Sequence, residues 1–170
     1  MLKTILIASL LSAPVYIKKD FDNVELVKVV DGDTIKVKLN RGESKEVNIR
    51  LSCSDAPESV FQFNKSQYYK NVNIGLKAKE YTQKILLLKR IDLKCDGTKS
   101  YGRLNCYVYA NDVNVNEKLI IDGYAYTSEK YCSNSEIVLQ ERAMLKKRGL
   151  WKFGEWQEPC EFRGSCIDDN

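Results

Sequence analysis

The 170-residue chain contains no histidine. That absence removes Ser-His and Cys-His nucleophilic catalysis, histidine general bases and most catalytic zinc sites. Any chemistry must run on carboxylates, on Arg, Lys, Tyr or Cys side chains, or on a bound hard cation. The six cysteines, at 53, 95, 106, 132, 160 and 166, include no CxxC pair and no zinc-ribbon spacing. Zinc held without histidine would need four of them gathered, so disulfides are the better reading. The chain also lacks internal repeats and low-complexity segments, and past its N-terminus no apolar run reaches the roughly 20 residues of a membrane span. Nor is there a strong charge imbalance: a net +4 is compatible with a polyanionic partner but does not demand one.

What is present is the composition of an ordinary globular protein, 44% hydrophobic and 29% charged, at a length that suits one domain with its own core. Met1-Leu2-Lys3 followed by mostly apolar residues from Thr4 to Ala13 reads as a secretory signal peptide or an uncleaved anchor, with a short linker completing residues 1–19. Six cysteines agree with export to an oxidising compartment. The expected location is therefore secreted, periplasmic or anchored to the cell envelope. Cys95 and Cys106 flank an expected hairpin and can face each other across it. Cys132 with Cys160 or Cys166 would clip the tail, residues 154–170, to the body. Cys53 reads as a small buried hydrophobe in a strand.

Periodicity orders the elements. Val24 to Val30 is β-branched and roughly alternating, Asp31-Gly32-Asp33 breaks it, and Thr34 to Leu39 alternates strictly, which makes a hairpin. Lys45 to Cys53 reads as a third strand. After a long loop from Ala56 to about Asn73, apolar residues at Ile74, Ala78, Tyr81, Ile85 and Leu88 predict a helix. Ile91 to Cys95 and Leu104 to Tyr109 read as strands four and five, and Val115 to Asp122 as a short helix stopped by Gly123. Ser133-Asn134-Ser135-Glu136 is a capping-box pattern opening a last helix that closes near Lys146 to Gly149. The expected fold is α+β, a five-stranded OB-type barrel with three packed helices, an architecture that often binds oligonucleotides.

Charged residues collect at the strand ends. Asp33 follows a turn glycine, and Arg50 lies within the apolar run Ile49-Arg50-Leu51. Asp55 and Glu58 come just past that strand, and Arg103 directly follows Tyr101-Gly102. Two aspartates converging with a backbone carbonyl make a hard-oxygen site suited to Ca²⁺ or Mg²⁺. A further carboxylate beside the cation can act as general base on water, and two guanidinium forks can hold phosphate oxygens. Each piece alone has an ordinary explanation: a hairpin turn for Asp31-Gly32-Asp33, an Asx-type turn for Asp55-Ala56-Pro57-Glu58, a surface residue for Arg103. Arg50 is harder to explain away, because an unpaired arginine on the inner face of a strand is costly to desolvate.

Taken in order, Val30-Asp31-Gly32-Asp33-Thr34, Ile49-Arg50-Leu51 with Asp55-Ala56-Pro57-Glu58, and Tyr101-Gly102-Arg103 resemble the motif set of the staphylococcal nuclease (thermonuclease) family. The match continues through Val115-Asn116-Glu117, Leu119 and Gly123 to Arg148-Gly149-Leu150-Trp151, within a domain of residues 20–153. The resemblance implies a Ca²⁺-dependent endonuclease, with Mg²⁺ the less favoured ion, that cuts DNA and RNA to 5′-hydroxyl and 3′-phosphate ends. It implies that Asp33, Asp55 and the backbone carbonyl of Ala56 hold calcium, with Asp31 behind them. Glu58 then matches the general base, and Arg50 and Arg103 the phosphate-gripping arginines. Tyr101, and less closely Tyr131, match aromatics near the nucleotide. Threonine is usual in the family at the Ala56 position, and Ser100 stands where a well-known member has lysine.

Aromatic and basic residues from Phe61 to Lys70 suit stacking on single strands, or equally a partly packed surface loop. Single-stranded or frayed DNA and RNA are the expected partners, with no protein partner indicated and a monomer expected. The alternative is a catalytically inactive OB-fold module that binds nucleic acid. Loss of Glu58, Arg50 or Arg103 would favour it, and all three are present. A disulfide-stapled barrel that binds oligosaccharide would leave the acidic and basic set unexplained.

Overall fold

The computed structural model describes residues 18–40, 42, 44–59, 65–128 and 132–166. The leader, Phe61, Phe63 and Tyr131 lie outside the described residues. Five main strands form the barrel: β1 (Lys19–Asp31), β2 (Thr34–Lys38), β3 (Glu46–Leu51), β4 (Ile91–Ser100) and β5 (Arg103–Ala110). Their order is β3-β2-β1-β4-β5, and β3 closes the barrel by pairing in parallel with β5, Ile49 opposite Leu104 and Leu51 opposite Cys106. The alternation in the sequence is the reason these segments pair as they do. Ile35 and Val37 on β2, Ile49 and Leu51 on β3, Leu93 on β4 and Val108 on β5 all point inward and are essentially fully buried. Each such side chain contributes roughly 1.5–3 kcal/mol relative to exposure.

Helix α1 (Ile74–Leu86) buries Ile74, Ala78, Thr82 and Leu86, and Asn73 caps it by accepting from the Leu76 backbone N–H at 2.8 Å. Helix α2 (Val115–Ile121) is capped by Asn114 in the same way. Helix α3 (Asn134–Leu145) begins at the expected capping box, in which Glu136 accepts from the Ser133 backbone N–H at 2.8 Å. A fourth helix, α4 (Pro159–Arg163), is an addition to the three expected and lies in the tail. Among the described residues no helix is long and apolar enough to cross a membrane.

The disulfides are Cys53–Cys132, Cys95–Cys106 and Cys160–Cys166. The hairpin pair is as expected, with Cys95 directly opposite Cys106 in the β4–β5 ladder. The pairing of Cys132 with Cys160 or Cys166 is corrected, and Cys53 is a disulfide partner, not a lone buried thiol. Strand β3 ends at Leu51, and Cys53 takes a left-handed backbone conformation, φ 66°. That turn carries its side chain out of the alternation and toward the segment before α3. The tail closes on itself instead, because α4 reverses the chain and brings Ser165 N–H to the Cys160 carbonyl at 2.8 Å. Trp156 is what fixes the tail to the body: it is buried against Trp151 and Tyr126, and its carbonyl accepts from Tyr126 Oη at 2.6 Å.

Candidate active site

At one end of the barrel opens a cleft of about 1170 Å³, and Asp31, Asp33, Arg50, Asp55, Glu58 and Arg103 all line it. They arrive on four pieces of backbone. Asp31 and Asp33 flank Gly32 in the β1–β2 turn. Helix α1 clamps that turn: Thr82 Oγ1 donates to the Gly32 carbonyl at 2.5 Å, and a Cβ at position 32 would lie 2.5 Å from Ala56 Cβ and 3.0 Å from Ala78 Cβ. Glycine is required there because the turn, the helix and the Asp55–Glu58 segment meet at that point.

Arg50 is locked by β-register, opposite Thr34 on β2 and Asn105 on β5. The acidic partner that its strand position demands is present twice over: Nη1 pairs with Asp33, and Nη2 lies 2.7 Å from Asp55 Oδ1. Asp55 is set by a two-residue pairing of Ser54–Asp55 with Tyr126–Thr127, beside the Cys53–Cys132 disulfide. Asp33 also accepts from the Ala56 backbone N–H at 2.7 Å and from Thr34 Oγ1 at 3.0 Å.

Glu58 is buried, and its position depends on a glycine outside the motif. The N-terminus of α1 packs so closely on the Glu58 backbone that a Cβ at Gly75 would lie 1.8 Å from the Glu58 carbonyl oxygen. Gln67 N–H donates to that same oxygen at 2.7 Å. Asp31 accepts from the N–H groups of Gly32 at 2.8 Å and Ser59 at 3.2 Å, which ties the turn to the loop behind Glu58. Burial, and after it the negative charge of Glu58, push the Asp31 carboxyl up to about 7.

Arg103 opens β5 directly after the two-residue turn Tyr101-Gly102, both at positive φ, 49° and 79°. Its Nε donates to the Ser100 carbonyl at 3.2 Å and its Nη1 to Thr34 Oγ1 at 3.3 Å, with the guanidinium 5.9 Å from the Tyr101 ring centroid. Tyr101 itself is 89% exposed at the rim.

One residue of the site is absent from the sequence-derived set. Arg163, on α4, donates from Nη2 to Asp55 Oδ2 at 2.8 Å, and from Nη1 to Glu58 Oε1 at 2.7 Å and Asp55 Oδ1 at 3.2 Å. Burial alone would raise the Asp55 carboxyl, but Arg50 and Arg163 together hold it below the usual carboxylate range. The only sequence signal for Arg163 is its place between Cys160 and Cys166, a cysteine-bounded stretch able to display one cation.

Carboxylate oxygens are the donor type that a hard divalent cation takes. Asp33, Asp55 and Glu58 present such oxygens to the cleft, and two guanidinium groups bridge them pairwise, Arg50 between Asp33 and Asp55 and Arg163 between Asp55 and Glu58. Positive charge is what this cluster accommodates. Among the described residues the one group of three ligand types whose atoms lie within 4.8 Å of one another is Cys53, Cys132 and Glu136, and its two sulfurs are joined in a disulfide.

Comparison with known proteins gives the same direction. The family model described as "Staphylococcal nuclease homologue" matches residues 48–153. The chain is 32% identical over 161 residues to an "Uncharacterized endonuclease" of Haemophilus influenzae, covering 94% of this chain and 81% of that protein. It is 33% identical over 155 residues to "Endonuclease YncB" of Bacillus subtilis, covering 88% and 71%, and 26% identical over 151 residues to a "Micrococcal nuclease" of Shigella flexneri, covering 82% and 79%. The chain belongs to the staphylococcal nuclease family.

Proposed function

We propose that this protein is a calcium-dependent endonuclease that hydrolyses phosphodiester bonds of DNA and RNA, leaving 5′-hydroxyl and 3′-phosphate ends. The observation that carries the reading is the convergence of three carboxylates and two arginines, from four stretches of chain, on one cleft. The nuclease names of the similar proteins support it.

In this reading Asp33, Asp55 and the Ala56 carbonyl hold the ion, with Asp31 bracing the turn behind them. Bound calcium would supply positive charge to a phosphate oxygen and orient the attacking water. Glu58 removes a proton from that water as its oxygen closes on phosphorus. Arg50 and Arg103 donate to the non-bridging oxygens, whose charge grows as phosphorus becomes five-coordinate; the 5′-oxygen then leaves with a proton from solvent. Tyr101 offers a ring face at the rim for a base, which suits single-stranded or frayed substrate. Three disulfides support export to an oxidising compartment, with the N-terminal apolar segment as leader or anchor.

The test is digestion of single-stranded DNA and RNA by purified protein with Ca²⁺, with Mg²⁺ and with a chelator, followed by analysis of the termini. Calcium-dependent cleavage to 3′-phosphate ends is expected. Cleavage that persists in chelator, or that leaves 5′-phosphate ends, is incompatible with this reading.

A further inference from the structure

Arg163 lies ten residues beyond the end of the family match, yet it holds the two carboxylates on which the proposed chemistry depends. Both oxygens of Asp55 accept from guanidinium N–H groups, Oδ1 from Arg50 and Arg163 and Oδ2 from Arg163. Glu58 Oε1 accepts from Arg163 as well. A hard cation at about 2.3–2.6 Å needs those same lone pairs, and a general base must have its oxygen free for a water proton. With Arg163 in place, both Asp55 oxygens and one Glu58 oxygen already carry a guanidinium donor.

The tail is built to hold this arginine and also to let it go. Its anchor is Trp156, buried beside Trp151, with the next carbonyl, that of Gln157, accepting from Gln67 Nε2 at 2.5 Å. From Pro159 onward the chain makes a five-residue helix closed by Cys160–Cys166, and past the buried Pro159 no residue from Cys160 to Cys166 is fully buried. Arg163 is thus a cation on a short tether, its side chain 17% exposed and held at high local concentration over the acidic cluster.

We infer that the Pro159–Cys166 strap is an autoinhibitory element whose Arg163 occupies the cation and base positions, so that a divalent cation activates the site by displacing it. This inference rests on the reading of Asp55 and Glu58 as metal-holding and proton-accepting groups. It makes the chain's apparent calcium affinity a competition between two cations, one diffusing and one tethered. A site of this kind stays closed until calcium is plentiful.

The experiment is calorimetric titration of the full protein with Ca²⁺, without nucleic acid, comparing wild type, Arg163→Gln and the double variant Cys160→Ser/Cys166→Ser. Arg163→Gln should bind Ca²⁺ about tenfold or more tightly, since the ion no longer has to break three charge-assisted hydrogen bonds. Opening the disulfide should tighten binding by less, because the guanidinium remains but its local concentration falls. This second variant keeps the test open should the first not fold. Amide exchange at residues 160–166 should rise when wild type is saturated with Ca²⁺. Unchanged or weaker Ca²⁺ binding by the variants overturns the strap and leaves the cation site standing. Loss of turnover in Arg163→Gln at saturating Ca²⁺, with unaltered affinity, makes Arg163 a phosphate contact and also overturns it. Absence of Ca²⁺ binding in every variant overturns the metal reading and the strap together.

Discussion

Two arginines reach Asp55, one from the barrel wall and one from the tail, with side chains about equally buried but on very different backbones. Arg50 lies near the end of β3 between Ile49 and Leu51, both essentially fully buried, with ladder pairing to strands on both sides. Moving it would mean opening the barrel. Arg163 sits on a five-residue helix whose disulfide spans six residues and ties the tail only to itself. Similar charge and similar partners therefore carry different mechanical meaning. The wall arginine is held by strand pairing on both sides. The tail arginine is held by a short helix closed on itself by a disulfide.

The sharpest way to break that contrast is to remove the acid on which both regions depend. Glu58→Gln should lower turnover about 10²–10⁴-fold, the range of a positioned general base, while nucleotide binding persists. Single-turnover cleavage together with equilibrium binding of a short oligonucleotide separates the two, and undiminished cleavage would exclude Glu58 as the base. Next in size are the wall arginines. Arg50→Lys and Arg103→Lys should each cost on the order of 10²-fold in turnover, because a point charge cannot reproduce two parallel donors. If lysine at 50 or 103 were as active as arginine, the rigid half of the comparison would lose its premise.

How much of this was legible in the sequence follows the same division. The barrel was readable because its strands alternate against one core, so Ile35, Val37 and Ile49 announced their own facing. Asp33, Arg50, Asp55, Glu58 and Arg103 were singled out through the ordered motifs of the family resemblance, since each alone has an ordinary local explanation, and the structure places all five on one cleft. Gly75 was not. Its role comes from contact between α1 and the Glu58 backbone, a tertiary closeness that local pattern does not encode. The partner of Cys53 was hidden for a related reason, since alternation carries the eye through residue 53 whereas its backbone at φ 66° turns away. Arg163 was least accessible. Helix α4 is too short to show periodicity, and a stretch closed by its own disulfide can dock in many places.

A stability measurement addresses the contrast at the level of the backbone, with effects smaller than those on catalysis. Cys53–Cys132 links residues 79 apart and joins the Asp55 segment to the start of α3, whereas Cys160–Cys166 links residues 6 apart. Loop-closure entropy alone assigns about 4–5 kcal/mol to the first and about 2 kcal/mol to the second. Replacing Cys53 and Cys132 by serine should therefore lower the denaturant midpoint of the whole domain clearly. It should also impair activity, since Asp55 is two residues from the lost link.

The tail disulfide should register less than its entropic figure. Its loop lies past the Trp156 anchor, and opening it releases a segment that can loosen while the barrel stays folded, so part of its effect is confined to local exchange. Chemical denaturation of Cys160→Ser/Cys166→Ser, followed by tryptophan fluorescence from the buried Trp151–Trp156 pair, should show a midpoint close to wild type. Amide exchange at 160–166 should nonetheless be faster. A midpoint shift as large as that from losing Cys53–Cys132 would mean that strap and barrel unfold as one unit. Arg163 would then be as much a fixture of the site as Arg50.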